Sequence, residues 1–212
     1  MAAPLQIMVT NDDGIDSIGM HVLARSMLEF GEVTVVAPDS EFSGAGAAIG
    51  AIWEKTPEVH RSEIADIDTV WTVSGAPALC VLYARLGAFG FTPDLIVSGI
   101  NPGANVGRSV YHSGTIGAAL TGRNGGIPGI AISQSVTDFG VEGQAWGDVI
   151  SSLRWETAAR VAQLCVGAMI ADPRAEAGVL NVNVPDVEFD ELAGYEWTEV
   201  GVTPPRSMSD VT

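Results

Sequence analysis

The sequence predicts an α/β fold, a Rossmann-like and mostly parallel sheet flanked by helices, with a short C-terminal arm. Short continuous apolar runs such as Val33 to Ala37 (VTVVA) recur along the chain, the pattern of strands covered on both faces. Stretches with helical spacing alternate with these runs, which favours crossover connections and parallel strands. Polar or glycine-containing turns punctuate the ends of the runs, where an open parallel sheet collects its ligands.

Leu5 to Thr10 reads as a buried strand ended by the turn Asn11-Asp12-Asp13-Gly14. Ile18, Val22 and Met27, with Leu23 beside them, then fall roughly on one helical face. Val33 to Ala37 is the second strand, stopped by Pro38-Asp39. Residues 46–68 are less regular and read as a hairpin or loop. Thr69 to Val73 is a strand ended by Ser74-Gly75, and Pro77 suits the first turn of a helix reaching about Leu86. Leu95 to Val97 is a strand ended by Ser98-Gly99. A helix starts near Ser113, and Gly117 to Gly122 is small enough for close packing. Ile130 to Ile132 is a strand ended by Ser133, Trp146 to Met169 reads as one long helix, and Val179 to Val184 is a strand ended by Pro185. We expect residues 1–185 to form the core and residues 186–212, acidic and then polar, to form the arm.

Composition narrows the function classes. A chain of 212 residues, 47% hydrophobic, suits one domain with a full core. The net charge is −16, from 10 Lys+Arg against 26 Asp+Glu, and no two basic residues are adjacent. Nucleic-acid duplexes and anionic membrane surfaces both need clustered positive charge, so both are excluded as partners. A phosphate ester remains possible if a cation, a helix N-terminus or an isolated Arg supplies local positive charge. Cys80 and Cys165 lie far apart in apolar helical segments and read as buried free thiols. The N-terminal stretch MAAPLQIMVTNDDG lacks a basic n-region and an apolar h-region, and no run has membrane-spanning length, so we expect a soluble cytoplasmic protein.

The chemistry collects at the predicted strand ends: Asn11, Asp12 and Asp13 after the first, Asp39 and Ser43 after the second, Ser74 after the third, and Ser98, Asn101 and Asn105 after the fourth. Two adjacent carboxylates after a buried strand repel each other and are costly to desolvate without a cation. The ordinary alternative is a solvated turn capping a helix. The available donors are carboxylate, hydroxyl and amide oxygens, which favour magnesium, manganese or calcium over zinc. Ser43-Gly44-Ala45-Gly46 and the stretch from Asn101 to Gly107, followed by His112-Ser113-Gly114-Thr115 at a helix start, are two places where backbone N–H groups can receive a phosphate. Neither matches a Walker or dinucleotide-binding pattern, and each also reads as a plain turn or N-cap. Of the histidines, His21 lies inside a helix, His60 in the irregular segment, and His112 beside the second glycine-rich stretch, where it is placed to protonate a leaving alkoxide or simply to pack in the loop.

Taken together, Thr10-Asn11-Asp12-Asp13-Gly14, Ala37-Pro38-Asp39 with Ser43-Gly44, Val73-Ser74-Gly75 with Pro77 and Cys80, Pro93 to Asn105 (PDLIVSGINPGAN), Ser113-Gly114-Thr115 with Gly117-Ala118-Ala119, and Asn181-Val182-Asn183-Val184-Pro185 resemble, in that order, the SurE family of survival-protein-E nucleotidases. The resemblance spans roughly residues 5–185. It implies a Rossmann-like core and divalent-metal-dependent hydrolysis of nucleoside monophosphates. It also implies that Asp12, Asp13, Ser43 and Asn101 hold the metal, Mg2+ or Mn2+, that Asn105, Ser113, Gly114 and Thr115 contact the phosphate, and that the chain forms a homodimer or homotetramer through its C-terminal segment. The sequence departs from the family pattern at Leu79, where Asp is frequent, at Ser40-Glu41-Phe42, where the segment is often basic, and at His112, where Tyr is frequent. The region after Pro185 is short by the same standard.

The mechanism expected from these residues has Asp12 or Asp13 positioning or deprotonating a water, Ser113 and Thr115 stabilising phosphoryl charge, and His112 serving as acid. A signalling receiver domain also carries an acidic pair after its first strand, but it requires an Asp after the third strand and a Lys after the fifth. Here the third strand ends in Ser74-Gly75 and the sole lysine is Lys55. Two other readings are a catalytically degenerate nucleotide binder and a phosphatase acting on another small ester or on polyphosphate.

Overall fold

The computed structural model describes residues 3–50, 56–136, 146–172 and 177–201. Lys55 and the polar stretch from Pro204 to Asp210 lie outside the described residues. The strands are β1 (Leu5–Thr10), β2 (Gly31–Pro38), β3 (Val59–Arg61), β4 (Thr69–Val73), β5 (Leu95–Pro102), β6 (Gly129–Gln134) and β7 (Val179–Val184). The α-helices are α1 (Ile18–Met27), α2 (Pro77–Arg85), α3 (Gly114–Arg123), α4 (Trp146–Ser152) and α5 (Trp155–Ala171). The strands form one sheet in the order β3-β4-β2-β1-β5-β6-β7, parallel throughout except where β3 pairs antiparallel with β4. This is the Rossmann-like α/β arrangement the sequence predicts.

The alternation along β1 shows why the sheet is covered on both sides. Ile7 and Val9 pack with Met20, Leu23 and Met27 of α1 and with Ala158 and Ala162 of α5. Met8, between them, faces the opposite layer with Leu79, Cys80 and Val81 of α2 and Ala118 of α3. Ile7, Met8 and Val9 are all fully buried. Each such side chain contributes roughly 1.5–3 kcal/mol relative to exposure. Pro77 occupies the start of α2, and Ser113 caps α3 by accepting a hydrogen bond from the Ile116 N–H at 3.2 Å. Both cysteines are free, and burial pushes both thiols up, most at fully buried Cys80, so neither is poised as a nucleophile.

Three details differ from the sequence reading. In α1 the buried face is Met20, Leu23, Ala24 and Met27, while Ile18 at the helix start is 46% exposed. Helical spacing counted from Met20 rather than Ile18 gives that face. The stretch 46–68, read as a hairpin or loop, agrees with the structure in that its short edge strand β3 pairs antiparallel with β4, and residues 51–55 lie outside the described residues. Strand β5 does not stop at Ser98-Gly99. It continues to Pro102 through a cis Gly99–Ile100 peptide, with a register shift against β6 between Ser98 and Asn101. The long helix expected over Trp146 to Met169 is broken into α4 and α5. Ser151 and Ser152 turn their hydroxyls back onto the carbonyls of Gly147 and Val149, and the Arg154 N–H is taken by Asp186 at 2.9 Å, so the hydrogen-bond ladder is interrupted there.

Beyond β7, Asp186 also accepts the Gln134 side-chain N–H at 2.8 Å, and Arg160 stacks over Phe189 at 3.7 Å, so the first residues past Pro185 lie against the sheet edge and α5. Tyr195 and Trp197 farther along are exposed. No helix among the described residues is long and apolar enough to cross a membrane.

Candidate active site

The sheet order reverses direction at β1, which lies between β2 and β5, and the carboxyl ends of these strands form the crevice where an open α/β sheet binds its ligand. The turn after β1 is held from inside. The buried Asn11 side chain donates to the Gly14 carbonyl at 3.0 Å, and Gly14 takes a φ of +95° with the Ser40 backbone against it, a conformation that needs glycine. The loop after β2 is then tied down on both sides. The Phe42 N–H donates to the Asp12 carbonyl at 2.7 Å, and the Gly46 N–H donates to the His112 carbonyl at 3.0 Å. The turn after β1, the loop after β2 and the segment before α3 therefore form one body.

Asp12 is 3% exposed and its carboxylate is gripped by the start of α3. Its Oδ2 accepts the Gly114 N–H at 3.0 Å and its Oδ1 accepts the Thr115 hydroxyl at 2.6 Å. Burial raises its pKa, while the Thr115 hydroxyl and nearby backbone N–H groups work in the opposite direction by stabilising the ionised form. The positive end of the helix adds to that stabilisation. Gly114 is required by space: a Cβ there would stand 2.7 Å from the Asp12 Cβ.

Asp13 is half-buried and differently placed. Its Oδ2 is buried and has no hydrogen-bond partner among the described residues. Burial, then the charges of Asp12 and Glu41, push its carboxyl up to about 8. Ser43 donates its hydroxyl proton to Glu41 at 2.8 Å. Asn101, at the end of β5, donates to the Gly103 carbonyl at 2.6 Å and turns its Oδ1 to within 3.3 Å of the Thr115 hydroxyl, the group that also holds Asp12.

A divalent cation fits this arrangement. Asp13 Oδ2 is an uncompensated buried acceptor beside a second carboxylate, and the surrounding candidates are hard oxygen donors. Among the described residues no group of three or more His, Cys, Asp or Glu forms a metal cluster, so such a site rests on two carboxylates completed by neutral oxygens.

The other nominated residues divide. Asn105 is half-buried, in the irregular stretch after β5, with its side chain donating to Ser133 Oγ at 2.9 Å. Ser113 uses its oxygen as the α3 cap. His112 is exposed, and no hydrogen bond or ion pair joins its side chain to either aspartate. Ser74 accepts the Glu58 N–H at 2.7 Å and so fastens the start of β3, whereas Ser98 is buried within β5 with its hydroxyl unpaired among the described residues. Asp39 is exposed and receives the Ser40 hydroxyl at 2.9 Å. His21 bonds the Ile15 carbonyl at 2.7 Å inside the fold, and His60 is exposed.

Sequence reasoning did not nominate Glu41, Ser133, Asn181 or Asn183 as site residues. Glu41 stands two residues before Ser43, and the two asparagines share one face of β7 by their i, i+2 spacing; these were the available signals.

Residues 7–206 match the model of the family described as Survival protein SurE. The chain is similar to "5'-nucleotidase SurE" of Stenotrophomonas maltophilia (strain K279a), 40% identical over 199 residues, covering 93% of this chain and 70% of the relative. It is similar also to "5'-nucleotidase SurE" of Xanthomonas campestris pv. campestris (strain B100), 38% identical with the same coverage. Among solved structures it resembles the SurE protein from Aquifex aeolicus, with a TM-score of 0.73 and 33% identity over 90% of this chain and 70% of that one.

Proposed function

The chain belongs to the SurE family, and from that premise we propose that it is a divalent-metal-dependent phosphomonoesterase that hydrolyses nucleoside monophosphates to nucleoside and phosphate. The observation that carries this reading is the unequal aspartate pair: Asp12 locked by Gly114 and Thr115, and Asp13 beside it with a buried oxygen left uncommitted. The names of the similar bacterial proteins support the substrate class.

Asp12, Asp13, Ser43 and Asn101 are assigned to a magnesium or manganese ion. When bound, such an ion supplies positive charge to the phosphoryl oxygens and acidity to a water. Asp12 is held in a fixed orientation by two donors and keeps its carboxylate aimed into the crevice. Asp13 holds the proton released as a water oxygen bonds to phosphorus. The ester P–O bond breaks, and His112 gives its proton to the departing alkoxide. Asn105 and Ser113 orient the phosphate, while Gly114 and Thr115, whose N–H and hydroxyl donors are spent on Asp12, act through that carboxylate. Because Ser113 caps α3 through its oxygen lone pair, its hydroxyl hydrogen is free to point at a phosphoryl oxygen.

We place the enzyme in the cytoplasm, with residues 1–185 as the catalytic core and the segment 186–212 as an arm joining copies into a homodimer or homotetramer. The test is phosphate release from a panel of nucleoside monophosphates, with manganese, with magnesium and with chelator. Release confined to the metal-containing reactions is expected. A folded protein that releases no phosphate with either metal, yet binds nucleotide by calorimetry, would instead be a non-catalytic binder. Release from polyphosphate or other small esters in preference to nucleotides would move the substrate class.

A further inference from the structure

The Asn-Val-Asn run of β7 has no role in the chemistry above, yet it is the main support of Asn105. The Asn183 carboxamide meets both backbone polar groups of that one residue. Its Oδ1 accepts the Asn105 N–H at 2.8 Å and its Nδ2 donates to the Asn105 carbonyl at 3.2 Å. A side-chain amide that satisfies the N–H and the C=O of a single residue copies the hydrogen-bonded pair of two antiparallel strands. Asn181, on the same face of β7, donates to the same carbonyl at 2.9 Å. From β6, the fully buried Ser133 accepts the Asn105 side-chain N–H at 2.9 Å.

These four bonds occupy the backbone donor, the backbone acceptor and one amide hydrogen of Asn105. Its Oδ1 and its second amide hydrogen are left over. No helix or strand holds Asn105 itself, because β5 ends at Pro102 and Gly103 follows with a φ of +124°. Its orientation is therefore imposed from the neighbouring strands.

We propose that Asn183, helped by Asn181 and Ser133, is a positioning residue that sets the Asn105 carboxamide against a phosphoryl oxygen. The proposal rests on the assignment of Asn105 to the phosphate. It gives the second half of the sheet a part in phosphate recognition, although neither β7 asparagine needs to touch the ligand.

The experiment uses the full chain with manganese and reads two quantities: kcat and KM for a nucleoside monophosphate, and the affinity for inorganic phosphate by calorimetry. Asn183→Asp keeps the acceptor for the Asn105 N–H but sets an oxygen against its carbonyl, and Asn183→Ala removes both contacts without adding charge. Both variants are expected to weaken phosphate binding and kcat/KM on the order of tenfold, with manganese affinity unchanged within about twofold. In an Asn105→Ala background, Asn183→Ala is expected to cost less than about a further twofold, because a residue acting only through Asn105 has nothing left to position. A merely structural role would instead lower manganese affinity as well and add its full effect in the double variant.

Phosphate affinity unchanged in Asn183→Ala, while Asn105→Ala weakens it, overturns the clamp alone. Unchanged affinity in Asn105→Ala overturns the clamp together with its premise. Absence of turnover in the native protein, with the phosphate affinities behaving as expected, overturns the hydrolytic reading and leaves the clamp standing. If Asn183→Asp fails to fold, Asn183→Ala and Ser133→Ala decide the outcome by the same affinities.

Discussion

The Thr115 hydroxyl donates to Asp12 Oδ1 at 2.6 Å across a sequence separation of 103 residues. This bond joins the end of the first strand to the first turn of α3, and it is the shortest of the links that hold the Asp12 carboxylate. Thr115→Val keeps the shape and removes the donor. Losing a hydrogen bond to a buried charged group should cost about 1–3 kcal/mol in urea denaturation, with a fall in kcat/KM. Thr115→Ser, which retains the hydroxyl, should restore most of both. Equal losses in the two variants would mean that the methyl packing, not the hydroxyl, matters.

Gly114 tests the same contact from the backbone side. A Cβ at this position would stand 2.7 Å from the Asp12 Cβ and 2.8 Å from its Oδ2. Gly114→Ala should therefore displace Asp12, costing roughly 1–3 kcal/mol of stability and most of the turnover. A control at Gly126, which is open to solvent but has a φ of +79°, should lose stability through backbone strain while turnover persists.

The Asp13 carboxyl, pushed up to about 8 from 3.8, sets a pH dependence with a definite sign. Between those two values the native, cation-free protein binds more protons than the unfolded chain. The contribution of this group to stability should be fully present below the ordinary carboxylate range, fall as the pH rises toward about 8, and be lost above it. Asp12, also raised by burial, contributes with the same sign. Manganese binding should show the reverse trend, because the ion must displace the proton. Affinity should rise by up to about tenfold per pH unit below the Asp13 value, with proton release at neutral pH measurable by calorimetry in buffers of different ionisation enthalpy. Asp13→Asn should flatten the stability profile.

His112 has the weakest geometric tie to the pair, since only its backbone is fastened: its carbonyl accepts the Gly46 N–H at 3.0 Å and its N–H donates to the Ser109 carbonyl at 3.0 Å. If it protonates the leaving alkoxide, His112→Asn should lower kcat about 10²-fold or more with little change in KM. The loss should shrink for a substrate with a nitrophenolate leaving group, which needs no acid. An unchanged kcat removes His112 from the scheme.

What the sequence disclosed, and what it concealed, follows from local and non-local physics. Strands β1, β4 and β7 were legible to the residue because apolar runs meet sharp turns at Asn11, Ser74 and Pro185. The Asp12-Asp13 pair stood out because two adjacent carboxylates after a buried strand need an external reason. The inequality between them was not legible, since it depends on Gly114, Thr115 and Glu41 arriving from other loops. The end of β5 was misplaced because Ser98-Gly99 looks like a stop, while pairing with β6 carries the strand on to Pro102. The break between α4 and α5 depends in part on Asp186 from beyond β7, which no local window contains. Nor could spacing alone reveal that Asn183 answers the backbone of Asn105, 78 residues away.

The measurement that bears most directly on the central claim is phosphate release from nucleoside monophosphates in manganese by Asp13→Ala beside the native protein, both verified as folded by circular dichroism. Metal-dependent release by the native protein and a collapse of kcat in the variant are expected, since the carboxylate oxygen that is buried and unpartnered among the described residues is gone. Release by Asp13→Ala at the native rate, or release by the native protein that survives chelation, would contradict it.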